Sequence, residues 1–88
     1  PGRSISRAEL GCMMTRYLVL SGKDISELED VLSGFSDAGA VNGSMREALN
    51  AACALGIVKG IGGGRLDPNG SATRAQTAVM ISRMLDKI

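Results

Sequence analysis

Residues 5–18 return, 67 positions later, as residues 72–85, and this internal repeat restricts the possible folds more than any other feature of the chain. Five of the fourteen pairs are identical: Arg7/Arg74, Ala8/Ala75, Met13/Met80, Arg16/Arg83 and Leu18/Leu85. Close substitutions such as Ser6/Thr73 and Glu9/Gln76 keep the two copies in phase. Both copies open on a capping box. In Ser6-Arg7-Ala8-Glu9 and Thr73-Arg74-Ala75-Gln76 the hydroxyl takes the third amide of the helix, and the Glu or Gln reaches back to the cap. The chain therefore carries the same helix twice, with other material between.

Apolar residues at Leu10, Met13, Met14, Tyr17 and Leu18 predict a one-sided first helix, with Ile5 stapled to Leu10. The last helix is expected to turn Met80, Ile81, Met84 and Leu85 inward. A third box, Ser44-Met45-Arg46-Glu47, opens a middle helix with Met45, Leu49, Ala52 and Cys53 inward; Gly56 and Ile57 are placed to close it as a Schellman stop. A shorter helix is expected from Asp24 to about Leu32, packing Ile25, Leu28 and Leu32. Six of the twelve glycines lie between Gly56 and Gly70, which implies tight left-handed turns around two very short strands at Ile57-Val58 and Arg65-Leu66. The expected fold is all-α: about four helices, long Gly-rich loops and at most two very short strands.

Composition removes several functions. A net charge of +1 argues against a nucleic-acid binder. With no His, His-ligated metals and His acid–base chemistry are excluded, and no lysine stands near a suggestive Ser. No enzyme activity, metal or cofactor is expected. Cys12 and Cys53, 41 residues apart, read as two small buried hydrophobes, although a disulfide in an oxidising compartment stays open. The longest uncharged apolar run, Ala48–Val58, is far short of the roughly 20 residues a membrane span needs, and no signal peptide opens at Pro1-Gly2-Arg3. Tyr17 and Phe35 are the only aromatics, so stacking platforms for bases or sugars are scarce.

Arg7 and Arg74 occupy the first turn of their helices, where a cation opposes the helix dipole. A guanidinium beside the unpaired first-turn amides would hold a carboxylate or phosphate. The competing expectation is that each arginine pairs with an acid such as Asp67 or Asp37. The run Gly60–Arg65 fits neither phosphate-loop template, and a structural turn is expected there. Asp37 and Asp67 are expected in turns as well.

In order, Phe35-Ser36-Asp37, a helix, Gly56-Ile57-Val58-Lys59-Gly60, Gly64-Arg65-Leu66-Asp67-Pro68-Asn69 and Ala72-Thr73-Arg74-Ala75-Gln76 resemble the S-layer homology (SLH) module. On that resemblance residues 35–88 are one complete repeat, 1–22 the Thr-Arg-Ala-Glu-type helix of a preceding repeat, and 23–34 a short helix and linker. The chain departs from the family pattern at Gln76 for Glu, at Gly63 for Asp, at Leu66 for Phe, and at Gly43 or Ser44 for an aromatic. The resemblance implies a non-catalytic, extracellular module that anchors proteins to the bacterial cell wall by binding anionic, pyruvylated polysaccharide. It places the ligand on Arg74 and Arg7, with Thr73, Ser6, Gly63 and Gly64 beside them. It also implies further SLH modules in the same chain or a homo-oligomer as partners, and neither nucleic acid nor membrane insertion. The alternative is an SLH-fold interaction or self-assembly module that has lost its glycan.

Overall fold

A computed structural model describes residues 4–41 and 43–88. Three α-helices form: α1 (Arg7–Leu20), α2 (Ser44–Ala54) and α3 (Arg74–Leu85), with single 3-10 turns at Leu32–Gly34 and Ala38–Ala40 between α1 and α2. Among the described residues there are no strands, only two isolated bridges, Ser6 with Ser71 and Gly62 with Arg65. The all-α reading is correct, with three helices rather than four.

Helix α1 packs chiefly on α2, and only its flank meets α3. The two backbones approach closely at Gly11, where an added Cβ would stand 3.0 Å from Leu49 and from Val58. One turn on, the buried Thr15 hydroxyl donates to the Ala48 carbonyl at 2.8 Å. Leu18, Leu32, Leu49, Ile57 and Leu66 fill the core completely sequestered from solvent, each contributing roughly 1.5–3 kcal/mol of burial.

Both capping boxes of the repeat form as expected: Glu9 N–H donates to Ser6 Oγ and Gln76 N–H to Thr73 Oγ1. The box at Ser44 does not. The chain enters α2 through a left-handed Gly43 (φ +54), so Ser44 already lies in the first turn and caps nothing. The Schellman stop is present: Gly56 (φ +80) donates to Cys53 and Ile57 donates to Ala52, at 3.0 and 2.9 Å.

The expected helix over Asp24–Leu32 is absent apart from its last residue, which starts a 3-10 turn. Asn50 of α2 accounts for this. Its Oδ1 accepts from the N–H groups of both Val31 and Leu32, and its Nδ2 donates to Glu29, all at 2.9 Å. Amides held by a side chain are no longer available for an i to i−4 ladder. The two short strands are likewise missing, for the same kind of reason. The Ile57 and Val58 amides close α2 on Ala52, while the Leu66 and Asp67 amides donate to the Asp37 carboxylate at 2.8 Å each. What pairing remains is a tight turn, Ile61 to Arg65.

Asp37 is thus a structural clamp, as a turn role anticipated, and Phe35 beside it packs against Gly60, where a Cβ would stand 2.8 Å from the ring. Asp67 holds a left-handed φ of +56, the one such non-glycine among the described residues, and its carboxylate folds over Gly70.

The helical stripes sit differently from the expected ones. On α1 the buried side runs through Arg7, Ala8, Leu10, Gly11, Met14, Thr15 and Leu18, whereas Met13 and Tyr17 are exposed. On α3 Met80 is buried and Met84 half-buried, whereas Ile81 and Leu85 are exposed. The small side chains Gly11 and Thr15 let α2 come close on that side, which turns Met13 and Tyr17 outward.

The amides of Leu66, then Asp67, hold the Asp37 carboxyl below the ordinary aspartate range. The unfolded chain therefore binds more protons in acid, so this contribution is whole above about pH 4 and is lost as pH falls further. In urea titrations across pH, Asp37→Asn is expected to be less stable than the wild type at pH 7. The gap should narrow steadily below about pH 4.

Candidate functional site

Arg7 is 6% exposed, the most buried charged residue among those described. Its Nε donates to Leu66 O at 3.1 Å and its Nη2 to Lys59 O at 2.5 Å. Its own N–H donates to Gly70 O at 2.8 Å, and that of Ala8 to Pro68 O at 2.9 Å. The expectation of an acidic partner fails, because both side-chain hydrogen bonds end on carbonyls. The expectation that the α1 amides await an anion fails too, since loop carbonyls already occupy them. The remaining nitrogen, Nη1, has no partner among the described residues, yet it is not sealed from solvent.

Arg7 lies on the wall of a groove of about 500 Å³ between the Gly-rich loop and α3. Lys59 and Arg83 join it, and Gln76, Ile61, Val79 and Met80 complete most of the lining. Arg83 donates to Ile57 O at 3.3 Å, which steadies it at the rim. The groove holds three cations and no carboxylate.

Arg74 is exposed and makes no contact with a polar group of the described residues; it precedes Ala75, which lines the same groove. The Arg74 and Ala75 amides are also without partners there. Ser6 and Thr73 cap their helices. Gly63 and Gly64 are exposed at the loop tip with left-handed φ, outside the groove lining. The structure therefore brings Arg7 to a groove and leaves Arg74 and the two glycines outside its lining.

Lys59 and Arg83 did not stand out in the sequence. Arg83 had a signal, its identity with Arg16 across the repeat; Lys59 had none, because only the fold of the loop sets it opposite α3.

A larger groove of about 520 Å³ beside Cys12, Met13 and Met45 carries one acid, Glu9, and one base, Arg16. Both thiols are free, and burial pushes Cys53 up to about 11 and Cys12 upward, which keeps them protonated and unreactive. Among the described residues no cluster of acids or thiols is arranged to hold a metal ion. No described helix is long and apolar enough to cross a membrane.

The S-layer homology domain model matches residues 34–78, half of the chain. The chain belongs to the S-layer homology family. No curated protein and no solved structure matches it. SLH modules serve in cell-surface anchoring through the cell wall, and the match covers Lys59, Gly60, Ile61, Ala75 and Gln76 of the groove lining, while Arg7, Val79, Met80 and Arg83 lie outside it. The Asp37 clamp, the α2 stop and the Thr73 cap all fall inside the matched residues, so the family pattern coincides with the bonds that shape the loop.

Arg7 and Arg74 hold equivalent positions with opposite surroundings. Arg7→Met leaves the Leu66 and Lys59 carbonyls unpaired and should cost about 2–4 kcal/mol. Arg74→Met should stay within about 0.5 kcal/mol of wild type. Urea unfolding of both variants checks the contrast.

Proposed function

We propose that this SLH module is a non-catalytic anchor that binds anionic, pyruvylated cell-wall polysaccharide outside the cell, with the groove between the Gly-rich loop and α3 as its site. One observation carries the reading: three cations and no carboxylate line that groove. A pyruvyl ketal presents a carboxylate on a sugar ring, and a guanidinium nitrogen already held in place by two carbonyl bonds is a pre-ordered donor for it. Lys59 and Arg83 supply the charge that draws the polymer in. Ile61, Val79 and Met80 offer apolar surface to the C–H faces of the sugar in place of the missing aromatics. Arg74, exposed beside Ala75 in the chain, adds a further cation, and Ser6 and Thr73 act through the helices they cap. Gly63 and Gly64, with no side chain in the way, mark the loop tip past which the polymer runs.

Pull-down on purified wall polysaccharide, before and after removal of pyruvyl groups, tests the reading. The wild type should bind only the pyruvylated form, and binding should weaken with salt. Lys59→Ala with Arg83→Ala should lower affinity at least about tenfold while leaving the helical signal unchanged. Equal binding to the depyruvylated polymer would overturn it.

A further inference from the structure

The cationic groove continues past its own end. A second depression of about 230 Å³, at the ends of α2 and α3, is lined by the same Lys59 and Arg83, joined by Lys87 and Asp86. Lys87 in turn lines a third, of about 190 Å³, together with Lys23 and the end of α1. Neighbouring depressions therefore share a wall: Lys59 and Arg83 stand between the first two, and Lys87 between the last two. Five of the ten Lys and Arg residues line this track, with Asp86 the one carboxylate among its lining residues. Half the positive charge of a nearly neutral chain thus lies along a single path.

The fold gives the lysines of this path no structural role. Lys23, Lys59 and Lys87 make no side-chain hydrogen bond or ion pair among the described residues. A helix dipole favours a cation in the last turn, which accounts for Arg83 but not for the three lysines. These lie past the ends of α1, α2 and α3. The path is also long. Helix α3, whose 12 residues flank the first two depressions, measures about 18 Å, more than one sugar ring. Its cations differ in kind along the way. Arg7 is a planar fork held by two carbonyls, suited to orient one carboxylate, whereas a lysine is a point charge on a flexible stem. Lysines can follow charges whose spacing and orientation vary along a polymer.

We infer that the glycan site extends along this track, so that the module takes up an internal stretch of polysaccharide at two or more successive charged repeats, not a single end unit. Arg7 orients one carboxylate in the groove, and Lys87 and Lys23 engage carboxylates farther along the same polymer. The inference rests on the groove being the polysaccharide site; it adds which part of the polymer is bound and by which further residues. Each contact after the first is intramolecular, so weak lysine contacts gather into useful affinity without a deep pocket.

The test is a length series. Pyruvylated wall polysaccharide is cut into fragments of increasing repeat number, and the binding of each to the 88-residue chain is measured by calorimetry. Affinity should rise at least about tenfold from the single repeat to a fragment that spans all three depressions. Salt should weaken the long fragment more than the short one. Lys23→Gln with Lys87→Gln should bring the long fragment back to about the affinity of the single repeat. Neither side chain is bonded within the described fold, so the helical signal of that variant should not change. Arg16→Glu removes the same net charge from a residue outside the track and should keep the gain with length. A wild type whose affinity does not grow with length overturns the inference. So does a gain that survives loss of both lysines, one that Arg16→Glu abolishes equally, or one that the depyruvylated polymer also shows. The groove reading fails on a different result: Lys59→Ala with Arg83→Ala binding the single repeat as the wild type does, which would sink both.

Discussion

The carbonyls of Lys59, Leu66, Pro68 and Gly70 belong to a loop that has no ladder to pair them, and the start of α1 supplies donors to all four. Buried peptide oxygens left without donors are costly, so a loop this rich in glycine holds one shape only if something outside it makes those bonds. A helix N-terminus with an arginine in its first turn is well suited, since it offers two unpaired amides and a planar fork of donors within a few ångströms. The cation opposes the helix dipole, but that cost of a few tenths of a kcal/mol is small beside two charge-assisted bonds. The clamp from Asp37 completes the arrangement from the other side, fixing Leu66 and Asp67 by their amides while Arg7 holds Leu66 by its oxygen.

The groove follows from that arrangement. Once the loop is pinned, Lys59 and Arg7 line the groove with α3, and Arg83 is steadied on Ile57. Two side-chain bonds and the backbone amide of this one arginine hold the loop in place. A chain of net charge +1 thus keeps a locally cationic groove, with none of its carboxylates in the lining.

Much of this was legible in the residues. The two capping boxes, the Schellman stop at Gly56-Ile57 and the turn at Asp67 are local features, decided within a few positions of the backbone they shape, and the repeat is visible along the chain; the Asp37 clamp on Leu66 and Asp67, about thirty positions away, is not local. Most of the failures are non-local. Asp24–Leu32 has a helical stripe, yet Asn50, about twenty positions away, takes its amides. Ser44 reads as a cap until the chain arrives through a left-handed glycine. Met13 and Tyr17 read as core because a periodic pattern does not say which of two apolar faces meets a neighbour. Arg7 and Arg74 read alike as ligand residues, and nothing local distinguishes them.

On its own, the sequence determined that one helix occurs twice, how each copy begins, and that the chain is an all-α member of the SLH family. These are consequences of short-range bonding and of spacing along the chain. Tertiary structure alone decided that the first copy is clamped by the glycine loop while the second turns the same residues to solvent. The reason is that a socket formed by α2 and residues 57–70 accommodates one helix face, and this chain contains two helices that carry that face but a single socket among its described residues.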